Sequence, residues 1–184
     1  MSQSITKLSP GPVVLGAMIL IAVATRLLYH FNPGMVPPNF SPVEAVALFG
    51  GAYFADRRLA LLTPLVAMAL SDLIIGFHNL LWLVYACVAL STILGFGLRG
   101  KVGPVRVAAY GVIGSTLFFI VTNFGVWLGS SMYPQTWAGL MECYVAGIPF
   151  YKNTLVSTLF YSALLFGGFA LLRARLPQLR AQTV

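Results

Sequence analysis

The chain has 184 residues, 59% of them hydrophobic and only 8% charged, with a mean hydropathy of +0.88. About a quarter of a soluble domain is charged, so a water-dissolved globule is excluded, and the length suits one domain. A net charge of +7 would point a soluble protein toward nucleic acid. Here the basic residues fall in short segments between apolar runs, so they read as orientation signals in a membrane and no nucleic-acid partner is expected.

A helix needs about 20 predominantly apolar residues to cross the hydrocarbon of a bilayer. Apolar runs occupy 13–29, 42–55, 59–75, 80–98, 107–129 and 154–172. They predict an all-α integral membrane protein, a single transmembrane domain over 1–184. Its bundle has six transmembrane helices, or five if the short second run does not cross. The first run follows Lys7 and ends near Ala22-Val23-Ala24, a pattern shared by a cleaved leader and a first transmembrane helix. Arg26 and His30 lie one turn apart on one helix face; near a helix end they either snorkel to the interface or meet a ligand. Segment 31–41 (FNPGMVPPNFS) carries Pro33, Pro37 and Pro38 beside Asn39, so a stiff, polyproline-like loop is expected.

In the second run, Ala47, Gly51 and Ala55 recur every four residues, a small-residue stripe that admits another helix closely. The sequence leaves open whether that helix belongs to this chain or to a partner. Asp72, near the end of the third run, either pairs with Arg26 or caps a helix, or else contacts a ligand. His78 and Asn79 form a turn. Cys87 in the fourth run reads as a small apolar core residue or a soft metal ligand. Asn123 lies roughly 9 Å from the outer end of the fifth run at about 1.5 Å per residue, and serves as helix-to-helix glue or as a ligand contact. Segment 130–153 is too long for a plain loop. Trp137, Leu140, Met141, Tyr144 and Val145 recur in it at helical spacing, which predicts a short re-entrant or interfacial helix there. Trp127, Trp137 and Tyr144 suit an aromatic belt or a stacking wall, and Asn153 flanks the segment.

With the N-terminus in the cytoplasm, nine of the 11 basic residues fall on the cytoplasmic side: Lys7, Arg57, Arg58, Arg99, Lys101, Arg106, Arg173, Arg175 and Arg180. Both termini are then cytoplasmic. Three of the four acids (Glu44, Asp72 and Glu142) and both histidines fall on the other side. Costly polar groups gathered at one end predict a polar pocket, open outward and of some hundreds of Å³. Phosphate-loop, H-E-x-x-H and G-x-S-x-G motifs are absent from the sequence, and no cofactor or resident metal is expected.

The phrases PPNFSPVEAVALFGGAYF, LSDLIIGFH, FFIVTNFGVWL and MYPQTWAGLMECYVAGIPFYKNTL resemble a little-characterised bacterial family described only as transport proteins, over roughly 26–168. The layout is more loosely similar to the substrate-binding S-components of energy-coupling-factor vitamin transporters. That resemblance implies six helices in the bacterial inner membrane and capture of a vitamin-like micronutrient from outside by the loops after helices 1, 3 and 5. The Ala-x-x-x-Ala docking pattern of those proteins is missing from helix 1, where Ala17, Ala22 and Ala24 are not spaced by four. One similar cobalamin-uptake group uses a cysteine as cobalt ligand, a role the resemblance would give Cys87. The resulting expectation is uptake of a small solute held by Arg26, His30, Asn39, Asp72, His78, Asn123, Trp127, Trp137, Tyr144 and Asn153. The bilayer, and a coupling module or a second copy of the chain, are the expected partners. A membrane-embedded enzyme using His30 or His78 beside Asp72, and a scaffold built on the Ala47-Gly51-Ala55 stripe, are the alternatives.

Overall fold

Three helices start where capping chemistry puts them. The Asp56 carboxylate accepts from the Arg58 amide, the Thr136 hydroxyl accepts from the Gly139 amide, and a proline opens the helix that starts at Pro104, each satisfying or removing an orphan donor. The computed structural model describes residues 11–175, with side chains from 15; Lys7 and Arg180 lie outside the described residues. Among these it is all-helical, without strands: α1 (Gly11–Phe31), α2 (Val43–Tyr53), α3 (Arg57–Ile75), α4 (Leu81–Phe96), α5 (Pro104–Gly129) and α6 (Trp137–Arg175). Three of them, α3, α5 and α6, with 19, 26 and 39 residues, are long and apolar enough to cross a membrane.

Two expectations change. The helix foreseen inside 130–153 is the first half of α6 and not a separate piece, because the chain stays helical from Trp137 through a π-type segment at Ala163–Gly167. Pro149 sits inside this helix; it removes one donor but does not end the helix, since the adjoining face packs along α5. At about 1.5 Å per residue α6 is about 58 Å long, against about 30 Å of hydrocarbon. The second change is at Ala55. It lies beyond the end of α2 and is exposed, so the small-residue stripe on that helix is Ala47 and Gly51 alone.

α2 is the axis of the bundle. Ten of its 11 residues, Val43 to Ala52, are buried, as expected of a helix that is apolar all round. Ala47 and Val43 pack with Met68 and Val88 on one side, and Leu48 and Phe49 with Leu98, Val107 and Phe166 on the other. Backbone meets backbone where α2 crosses α4. A Cβ added to Gly51 would collide with the Thr92 carbonyl and lie 2.8 Å from Gly95 Cα. The helix that the stripe admits is therefore the chain's own α4.

At about 17 Å, α2 reaches only part of the way through the bundle. Its second residue, Glu44, lies level with Ser91 and Gly114, near the middle of α4 and α5. The other end of α2 is closed by Arg99, whose Nε and Nη2 donate to the carbonyls of Gly51 (2.9 Å) and Phe54 (2.6 Å). A cation there complements the helix dipole and satisfies carbonyls left over by the helix end. Arg99 and Arg57 both lie over the Phe96 ring, at 4.8 and 5.4 Å. Burial first, and Arg57 second, lower the Arg99 pKa from its usual value.

Candidate functional site

The segment between α1 and α2 descends into the bundle to reach the head of α2. It is stiffened as its prolines foretell. The Phe40 amide donates to the Pro37 carbonyl (3.1 Å), with Pro38 second and Asn39 third in the turn at φ 62°. Proline and asparagine suit those two positions of a type II turn. Asn153 Nδ2 donates to the Pro38 carbonyl (2.9 Å), and the Phe40 ring packs on Phe160 and Tyr161. These contacts tie the loop to α6.

Beneath the loop, at the head of α2, lies a cavity of about 80 Å³ lined by Arg26, Asn39, Ser41, Glu44 and Thr154, together with Val43, Met68, Val84, Val88 and Phe118. Glu44 is only 5% exposed. Its Oε2 accepts from the Ser91 hydroxyl (2.6 Å), while its Oε1 has no hydrogen-bond partner among the described residues. On the rim, Arg26 is held in place. Its Nη2 forms an ion pair with the Asp72 carboxylate, its Nε donates to Ser71 Oγ (2.6 Å), and the Tyr85 hydroxyl donates to Asp72 Oδ2 (2.9 Å). Asp72 is 2% exposed, and both of its oxygens are used within the chain. The Arg26 pairing foreseen as its structural role is thus present.

The remaining sequence candidates are dispersed. His30 is exposed and stacks edge-on against Phe31, and His78 and Asn79 are exposed in the α3–α4 turn. Neither histidine is a partner of Asp72. Asn123 donates from Nδ2 to the Phe119 carbonyl of its own helix (2.8 Å) and presses against Gly147 of α6. Trp127 donates from its indole nitrogen to the Pro134 carbonyl (2.9 Å), and the Tyr144 hydroxyl donates to the Ile120 carbonyl (2.9 Å). The Asn123–Gly147 contact and the Tyr144 bond fasten α5 to α6, while Trp127 ties α5 to the segment that leads into α6. Trp137 is 80% exposed. Cys87 and Cys143 are buried free thiols, and no cluster of three metal-ligating side chains occurs among the described residues. Arg26 and Asn39 line the cavity; Asp72 and Asn123 do not.

Sequence reasoning passed over Glu44 as a site residue. The available signal was an acid at the start of an otherwise apolar run, just after a proline-rich loop. A larger cavity, about 630 Å³, lies at the opposite end of α2 between Tyr53, Pro104, Val107, Ser162 and Phe166. Its walls are apolar apart from the Tyr53 and Ser162 hydroxyls and suit an apolar occupant. The polar space beneath the loop is therefore much smaller than the few hundred Å³ anticipated.

The pattern of one protein family, described as a family of unknown function (DUF6580), matches residues 6–179. No curated protein and no solved structure matches the chain.

Proposed function

Given that the chain belongs to DUF6580, we propose that it is a multi-pass transport protein of the bacterial inner membrane that takes up a small solute through the head of α2. The observation that carries this reading is the polar cavity: an arginine, a glutamate, an asparagine and two hydroxyl side chains converge deep in an apolar bundle. Ionisable groups inside a membrane are expensive, and they mark solute and ion pathways by default. A helix that begins midway through the bundle beside a polar space is also how many secondary transporters build their sites.

In this reading six segments cross, the second as the descending 31–41 loop continued by α2, both termini are cytoplasmic, and the solute arrives from the side of that loop. The clustering of Arg57 and Arg99 around the far end of α2 supports that direction under the positive-inside rule. Uptake begins when the loop lifts from α6, breaking the Asn153–Pro38 contact, and ends when the bundle reorients; the reorientation rests on the resemblance to S-components alone. A coupling module or a second copy of the chain would assist it.

Orientation is tested by labelling intact cells with a membrane-impermeant maleimide. Cys87 and Cys143 are buried, so the native background is low. Cysteine at Met35 should label, and cysteine at Lys101 should label only after lysis. Labelling of both positions in intact cells would remove the proposed direction. Capture is tested by mass spectrometry of small molecules released from gently extracted, full-length protein. One solute should be enriched several-fold over a Val84→Phe variant, whose added ring fills the cavity. Equal recovery from the two proteins would place binding elsewhere.

A further inference from the structure

We propose that the head of α2 is a cation site, in which Glu44 and the cavity it lines hold the ammonium group of a small organic solute. The inference rests on the uptake reading and names its solute class.

The argument begins with charge. Arg26 and Glu44 both line the cavity, but Arg26 already forms an ion pair with Asp72. The pair sums to zero, and among the described residues Glu44 faces only the partial positive charge of the α2 N-terminus and no full countercharge; it is buried, with one oxygen bonded to Ser91 and the other unpartnered. An unpaired carboxylate in an apolar interior is costly unless a cation or a hydrogen-bond donor reaches it. An ammonium group supplies both.

The walls choose among cations. A hard metal ion gathers oxygen ligands on most sides. Here Val43, Met68, Val84, Val88 and Phe118 make up half of the lining, which suits an alkyl body, and an aromatic ring nearby further favours an organic cation. Size sets the limit. The cavity of about 80 Å³ exceeds the roughly 10–15 Å³ that one water needs, yet falls well short of the roughly 300–1,000 Å³ of a drug-sized pocket. A solute of a few heavy atoms fits with the loop as it lies.

The test is titration calorimetry on full-length protein in detergent, with methylammonium chloride and, in parallel, sodium chloride at matched ionic strength. Saturable methylammonium binding is expected, with no matching signal from sodium, and at least tenfold weaker binding in both Glu44→Gln and Val84→Phe. Three results overturn the proposal: no saturable methylammonium binding to the wild type, equal binding of sodium, or unchanged affinity in the variants. Should Glu44→Gln fail to fold, the wild type and Val84→Phe decide. Counterflow of labelled methylammonium in proteoliposomes, above the leak of protein-free vesicles, separates the two claims. Binding without counterflow keeps the cation site and removes uptake of this solute class. Retention of a different solute by protein that ignores methylammonium keeps uptake and removes the cation site.

Discussion

Replacing Asp72 with alanine should lower stability by about 3 kcal/mol, the low end of the cost of breaking a buried ion pair. The carboxylate is 2% exposed and the Arg26 side chain 21% exposed, so the stranded guanidinium recovers some solvation and the upper end is not reached. Removing Asp72 also leaves the Tyr85 hydroxyl without its acceptor. Tyr85→Phe alone should cost less, about 1.5–3 kcal/mol at most for a bond to a charged group. The double change Arg26→Met with Asp72→Leu should be nearly neutral, because it removes both charges together and refills the space with apolar atoms. Thermal or denaturant unfolding in one detergent measures these proteins beside the wild type, together with the single changes Arg26→Met and Asp72→Leu that complete the double-mutant cycle. A coupling energy below about 0.5 kcal/mol between positions 26 and 72 would show that the pair is not the tie between α1 and α3 that its geometry implies.

The second large effect is expected at the crossing of α2 and α4. Gly51→Leu should abolish folding, and Gly51→Ala should cost about 1–3 kcal/mol, the usual range for overpacking. The atoms in the way are the Thr92 carbonyl and Gly95 Cα, both backbone, and they cannot rotate aside. Gly50 is the control one residue away. A Cβ there would sit 3.4 Å from the Ala60 carbonyl, close to ordinary contact, while Gly→Ala inside a helix gains up to about 1 kcal/mol in propensity. Gly50→Ala should therefore be neutral or mildly stabilising. Equal melting temperatures for the two alanine variants would contradict the close approach. If Gly51→Leu instead yields a well-folded protein that has lost only self-association, the stripe serves a second copy and the packing with α4 yields to it.

The sequence foretold much of the architecture because each apolar run is bounded by strong signals. The third run, expected at 59–75, is α3 at Arg57–Ile75, and the fifth, expected at 107–129, is α5 at Pro104–Gly129. α6 was legible only in halves. Lys152 and Asn153 interrupt its hydropathy beside Pro149, so one-dimensional pattern places a boundary where the face toward α5 carries the helix through. The candidate site was partly legible for a related reason. Which acids are costly can be read from the chain, but which one lacks a partner cannot. Asp72 and Glu44 both sit at the edges of apolar runs; among the described residues one finds Arg26 and Tyr85 and the other only Ser91, and that difference depends on the depth and rotation of helices. Asn123, Trp127 and Tyr144 are legible as polar and aromatic side chains in α5 and the first half of α6, but only helix rotation shows that Asn123 and Tyr144 bridge those helices and that Trp127 meets Pro134.

The central place of α2 sets a problem of timing. Its neighbours on most sides are α4, α5 and α6, all made after it, so a ribosome that has finished only α3 has released a short apolar rod with one flank covered. Ser91 and Arg99, which serve the two ends of that rod, emerge 16 and 24 residues after the end of α3. Assembly must therefore proceed from the outside inward against the order of synthesis, with the innermost piece waiting for the shell that will enclose it.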